Sequence, residues 1–384
     1  MKESASQTKV EGDDEVVQSL DKDAITTVVA VSMSLIVFLA SSIAIIYLWK
    51  GEEGFVIERP SSALLSWQME YMDLVGVANG SLSELDGSGV IVCVVDSGVD
   101  LSHPDLRGVV LRGWRDSVNG IEEPYDDEGH GTAMSGIIVS DGGLSGVSKG
   151  VDLLVAKAID DQGQGTDSTV SDSVDWCVQQ GADIISLSLG GGQSFGSGFF
   201  TTDELEQSVE DALDSGGFVV SSAGNDGEDD DGDVGSPGSV EGVICVGGIT
   251  RSGSIWSGSS EGDNDGRLWP NPILPRSDPD KKPEIVAPGH EVPVLMASGV
   301  ENSGWWGWSS GTSAATAWVS GSLALLLQEN PELQRENSSG RQAIEGVKEG
   351  IMHSSHKKEG QENHDDHYGY GHLRIDLLIS HFEG

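Results

Sequence analysis

The sequence predicts an α/β fold with a mostly parallel central sheet and helices on both faces, preceded by one transmembrane helix. Three observations carry this prediction. Apolar runs of 5–8 residues recur from about Trp67 onward, separated by Gly/Asp/Ser turns. Amphipathic stretches lie between those runs, and a 26-residue uncharged segment stands near the N-terminus. Strands covered on both faces read as continuous apolar runs, and their alternation with helices implies parallel crossovers. A chain of 384 residues is long enough for one large domain or two modest ones.

In chain order, residues 1–23 hold seven acids and three lysines with little apolar pattern and are expected to form a disordered acidic tail. Residues 24–49, AITTVVAVSMSLIVFLASSIAIIYLW, exceed the roughly 20 residues that span a bilayer. They lack the basic start, short core and small-residue cleavage site of a signal peptide, so a membrane anchor is expected. Lys2, Lys9 and Lys22 precede the span, and Lys50 and Arg59 follow it. This leans towards an inside N-terminus, which places the large domain on the extracytoplasmic side. Residues 50–66 are expected to be a linker and 67–384 the large folded domain. Within that domain GVIVCVVD (89–96), VDLLVAKAI (151–159), ADIISLSL (182–189), GGFVVSSAG (216–224) and EGVICVGGI (241–249) are expected strands. Residues 168–181 and 203–217 are expected helices between them, and no solenoid repeat is present.

Charge narrows the function classes. Asp and Glu number 63 against 21 Lys and Arg, a net charge of −42. A basic groove for nucleic acid is excluded by that balance, and a halophilic setting is the expectation it raises. Cys93, Cys177 and Cys245 each lie in an apolar run and are expected to be buried free thiols, not disulfide partners or nucleophiles.

Four residues in glycine-rich turns suggest acyl-transfer chemistry. Asp96 ends the run VIVCVVD, His130 lies in DDEGHGTAM, Asn225 lies in SSAGNDG, and Ser313 lies in SSGTSAATA before a helical run. Singly, each has a plain reading: turn aspartate, surface histidine, turn asparagine, helix N-cap serine. Together they supply the carboxylate, base, amide donor and nucleophile that a serine-based mechanism needs. Their order Asp, His, Ser is a known triad order.

Those blocks resemble the subtilisin-like serine proteases, the subtilases, over residues 67–378. VVDSGVDLSHPDL (94–106), EGHGTAMSG (128–136) and SSGTSAATA (309–317) look like the family's aspartate, histidine and serine blocks. ISLSLGGG, SSAGN, KPEIVAPG and YGYGHLRID agree. The resemblance implies the subtilisin-like three-layer fold and a serine endopeptidase. It implies Asp96, His130 and Ser313 as triad, with the Asn225 amide and the Ser313 N–H as oxyanion hole. By the same resemblance Gly163, Gln164 and Gly165, with Ser188, Leu189 and Gly190, hold an extended polypeptide substrate by strand addition. Gly235, in Gly235-Ser236-Pro237, resembles a wall of the primary specificity pocket, whose small residues leave room for a large apolar side chain.

Some residues depart from the family pattern. Ala133 replaces a histidine, and Ala314 and Ala317 replace the usual Met and Pro; none of these performs chemistry. Asp105 matches a position that ligates calcium in many relatives. The opposing loop VSDGGLSG (139–146) is short and lacks an expected asparagine, which argues against calcium, and no cofactor is otherwise required. Only seventeen residues separate Trp49 from Trp67, so no pro-region is evident there and folding is expected to be unaided or assisted by a chaperone in trans. NDGEDDDGDVG (225–235) reads as a solvated acidic loop in preference to a calcium site. Trp305, Trp306 and Trp308 read as packing or as a wall of the leaving-group side. The histidines of residues 356–372 read as surface, with metal the lesser option. The alternative from another class is an inactive, peptide-binding or adhesive relative.

Overall fold

In the computed structural model, which describes residues 13–50, 59–189, 203–227, 233–266, 274–298 and 304–383, the chain divides into Met1–Glu58 and Arg59–Gly384. The described residues of the first unit form one helix, α1, Asp13–Lys50. No Gly or Pro interrupts these 38 residues, so the helix begins well before Ala24 and takes in residues 13–23, which were expected to be part of a disordered tail. Its apolar part, Ala24–Ile43, is 20 residues long with none of it buried. At 1.5 Å per residue that is about 30 Å, the thickness of a bilayer core.

The second unit begins at Arg59, ahead of the boundary expected at Trp67. Helix α2 (Ser62–Leu74) starts where the Ser61 hydroxyl accepts the Leu64 N–H at 3.2 Å, and it buries Leu64 and Tyr71. Much of the expected linker is therefore part of the folded domain.

The sheet has seven parallel strands in the order β2-β3-β1-β4-β5-β6-β7. They are β1 (Ile91–Asp96), β2 (Gly113–Asp116), β3 (Asp152–Lys157), β4 (Ile184–Leu187), β5 (Phe218–Ser222), β6 (Ile244–Ile249) and β7 (Ile285–Pro288). β1 through β3 grow to one side and β4 onward to the other, so the strand order reverses between β1 and β4. A parallel sheet opens a crevice at the carboxyl ends of its strands at such a point. Helices α3 (His130–Val139) and α6 (Thr312–Glu329) pack together, as do α4 (Asp167–Gln179) and α5 (Asp203–Asp214), and these pairs cover the sheet. α6 is buried from Thr312 through Leu327, and its small residues let it lie against β4 to β7. An antiparallel hairpin, β8 (Val292–Leu295) with β9 (Trp306–Ser309), leads the chain into α6. Helices α7 (Arg341–Ser354) and α8 (Ile375–Phe382) close the domain.

Two of the three cysteines contradict the sequence expectation. Cys93 in β1 and Cys177 in α4 form a disulfide with Cα atoms 5.9 Å apart, while Cys245 is free and buried. The crossover from β3 to β4 passes over β1 and brings α4 onto it, a proximity that an 84-residue separation hides in the sequence. The KPEIVAPG block has a structural use: fully buried Glu284 bonds Lys282 at 2.8 Å and Lys348 at 2.7 Å.

Candidate active site

Asp96 closes β1 and is fully buried, and His130 is the first residue of α3. His130 Nδ1 lies 2.8 and 3.0 Å from the two Asp96 oxygens, so Nδ1–H donates to the carboxylate and Nε2 is left for chemistry. The Ser97 N–H, at 2.7 Å, fixes the same carboxylate. Glycine on each side of His130 is a steric demand. Gly129 has φ +102°, and a Cβ on Gly131 would sit 2.2 Å from the Gly98 carbonyl.

Asp126, which sequence reasoning missed, joins these two loops. Its carboxylate accepts the Ser97 hydroxyl at 2.9 Å, the Gly129 N–H at 2.8 Å and the Thr132 N–H at 2.8 Å. The Ser97 hydroxyl oxygen in turn accepts the Gly131 N–H at 2.8 Å. The acid in DDEGHGT four positions before His130 was the available signal. Lys157, opposite Asp96 in the sheet register, is also buried and was also missed. Its ammonium bonds Asp127 and the Ser97 carbonyl, both at 2.6 Å.

Electrostatically, burial alone would push His130 down, but the charge of Asp96 and its hydrogen bond outweigh that, with Glu128 and Asp126 adding to them. The imidazole pKa is raised to about 9.

Ser313 lies in the first turn of α6, where Gly311 occupies the N-cap position without a side-chain bond. The serine is thus not the cap. Its hydroxyl donates to the Ser188 carbonyl at 2.9 Å, and the Ser188 hydroxyl donates back to the Ser313 carbonyl at 3.2 Å. Among the described residues, Ser313 has no hydrogen bond to His130. Asp96 and Ser188, one from each pair, stand at the ends of adjoining strands, since Val95 and Leu187, which precede them, are register partners. Asn225 follows β5. Its Oδ1 accepts the Thr312 N–H at 2.9 Å and the Thr312 hydroxyl at 3.0 Å. With the oxygen so held, the amide N–H groups remain as donors on an exposed residue.

A family model described as the subtilase family matches residues 87–371. The chain belongs to the subtilase family. It is 36% identical to the serine protease AprX of Bacillus subtilis over 67% of this chain and 60% of that protein. An intracellular serine protease of Paenibacillus polymyxa is 32% identical, covering 71% of this chain and 78% of that one. A cold-adapted subtilisin-like serine proteinase has a similar solved structure, with TM-score 0.56 and 27% identity over 76% of this chain and 88% of that one. The chain thus spans less than two thirds of the length of AprX.

In this subtilase the expected peptide-holding segments have different fates. Gly163, Gln164 and Gly165 form a turn, exposed at Gly163 and Gln164 and half-buried at Gly165, with the Asp160 N–H donating to the Gln164 carbonyl at 2.9 Å and Gly163 at φ +72°. Ser188 and Leu189 are buried just after β4, and Gly190 lies outside the described residues. Gly235 is exposed with open space around it. The neighbouring Ser236 hydroxyl donates to the Glu206 carboxylate at 3.0 Å, so the surroundings of Gly235 are more polar than its small residues suggest. Trp305 and Trp306 pack edge-on against His103, with ring centroids 5.2 and 5.8 Å away, whereas Trp308 is 56% exposed. Residues 228–232 of the acidic loop lie outside the described residues. Among the described residues, no group of three or more His, Cys, Asp or Glu is placed to hold a metal ion.

Proposed function

We propose that this subtilase is a membrane-anchored serine endopeptidase that works through Asp96, His130 and Ser313 and an acyl-enzyme intermediate. The observation that carries the reading is the Asp96–His130 pair beside the Ser188–Ser313 pair on adjoining strand ends. In the reaction, the Ser313 hydroxyl leaves the Ser188 carbonyl and turns to His130 Nε2. As Oγ bonds to the substrate carbonyl carbon, its proton passes to Nε2, and Asp96 stabilises the imidazolium. The new oxyanion is met by the Asn225 amide and the Ser313 N–H, the latter at the positive end of α6. Collapse breaks the peptide bond, and the departing amine takes the proton from Nε2. Water, deprotonated by His130, then releases the acyl group and restores Ser313.

The anchor is α1, whose apolar stretch has the length and composition of a membrane span. The Cys93–Cys177 disulfide supports an extracytoplasmic catalytic unit, because such bonds persist in oxidising compartments. Polypeptides gripped through Ser188 and the 163–165 turn are the substrates. Hydrolysis of denatured casein by the detergent-solubilised full chain, beside Ser313→Ala, tests the reading. Cleavage lost in the variant is expected. Equal cleavage by both chains, or none by a folded parent, would instead favour a peptide-binding relative.

A further inference from the structure

Asp105 matches a calcium-ligating position of the family, yet here its carboxylate is filled from within the chain. Its Oδ1 accepts the Gly143 N–H at 2.7 Å. Its Oδ2 accepts the Leu144 N–H at 2.9 Å and the Trp306 indole N–H at 2.6 Å. A Cβ on Gly142 would lie 2.2 Å from Oδ1, so the loop closes directly onto the carboxylate. Elsewhere in the loop, the Asp141 N–H donates to the Asp105 carbonyl at 3.0 Å. The side-chain amide of Gln68 in α2 donates to the Ser145 carbonyl and accepts the Ser145 N–H, both at 3.0 Å. Calcium takes six to eight oxygen ligands. Three N–H groups aimed at one carboxylate take three of its roughly four lone-pair sites and present positive dipoles where a cation would sit. The residues present do not fit calcium.

The same contacts join three segments of the proposed site. Asp105 lies in the loop that follows Asp96. Gly143 and Leu144 lie just beyond α3, which His130 opens. Trp306 starts β9, the strand that leads to Ser313. His103 strengthens the joint: its Nδ1 accepts the Asp105 N–H at 3.0 Å, and its Nε2–H donates to the Trp305 carbonyl at 2.6 Å. Burial holds His103 below its ordinary pKa, which favours the neutral ring these two bonds require.

We infer that Asp105 is a metal-independent positioning residue, whose N–H-filled carboxylate ties the segment after the acid to those after the base and before the nucleophile. Its kinetic consequence rests on the protease reading; its independence of calcium does not. The full chain carrying Ser313→Ala, which cannot digest itself, is melted in chelator and in excess calcium, beside the same chain with Asp105→Asn. The expected result is an equal calcium-induced change of Tm in both, because cations at the acidic surface act on both alike. A calcium-induced rise of about 5 °C or more that requires Asp105 overturns the inference, that being the order of shift for a saturating site ligand. The positioning role is read in the active chain with Trp306→Phe, which removes the indole donor and keeps an aromatic ring. A fall in kcat of about three- to tenfold with KM little changed, well below Tm, is expected. A folded Trp306→Phe chain with unaltered kcat overturns the positioning role.

Discussion

Among individual residues, His130 sets the most distinctive behaviour. A general base must be neutral, and Asp96 holds this imidazole protonated up to about pH 9. Roughly one molecule in a hundred is then competent at pH 7, and kcat/KM rises about tenfold per pH unit until the limb near 9. A pH–rate profile on a peptide substrate checks this; a limb near 6.5 contradicts it. The same shift has the opposite effect on stability. Because the folded pKa lies above the unfolded value near 6.5, the pair's full contribution is present below about pH 6.5 and is lost as pH rises through 9. Four proposed site residues were legible because each sits in a motif with a chemical meaning at that spacing. Asp126 was not, because its role is to receive N–H groups from turns whose shape a sequence does not display. The bond that parks Ser313 on Ser188 was also hidden, since it joins residues 125 positions apart.

At the level of elements, the five expected strands match β1, β3, β4, β5 and β6 to within a few residues at each end, since both faces are buried and the runs are continuously apolar. β2 escaped notice because GWRD is a half-exposed edge strand; β7, β8 and β9, four residues each, lack the pair of apolar flanks that made the equally short β4 legible within ADIISLSL. The disulfide escaped because crossover topology, not composition, brings α4 to β1. In the chain-entropy picture, closing that loop is worth on the order of 4 kcal/mol. Cys177→Ala, or reduction before heating, is therefore expected to lower Tm by on the order of 10 °C, followed by circular dichroism. An unchanged Tm contradicts a stabilising role for the bond between β1 and α4.

For the molecule as a whole, a net charge of −42 destabilises the folded state through self-repulsion that salt screens. We propose a saline working environment, in which case the unfolding midpoint rises from low to molar salt; a flat or falling dependence contradicts it. At this scale we propose that one sheet, reversing its order between β1 and β4, gathers acid, base, amide donor and nucleophile into a working serine protease. The most direct measurement is to treat the full chain with a fluorophosphonate and map the adduct by mass spectrometry. A single adduct on Ser313 is expected, formed faster as pH rises towards 9 and nearly abolished by His130→Ala. A folded chain that takes no label at Ser313, or takes it equally well without His130, overturns the proposed triad.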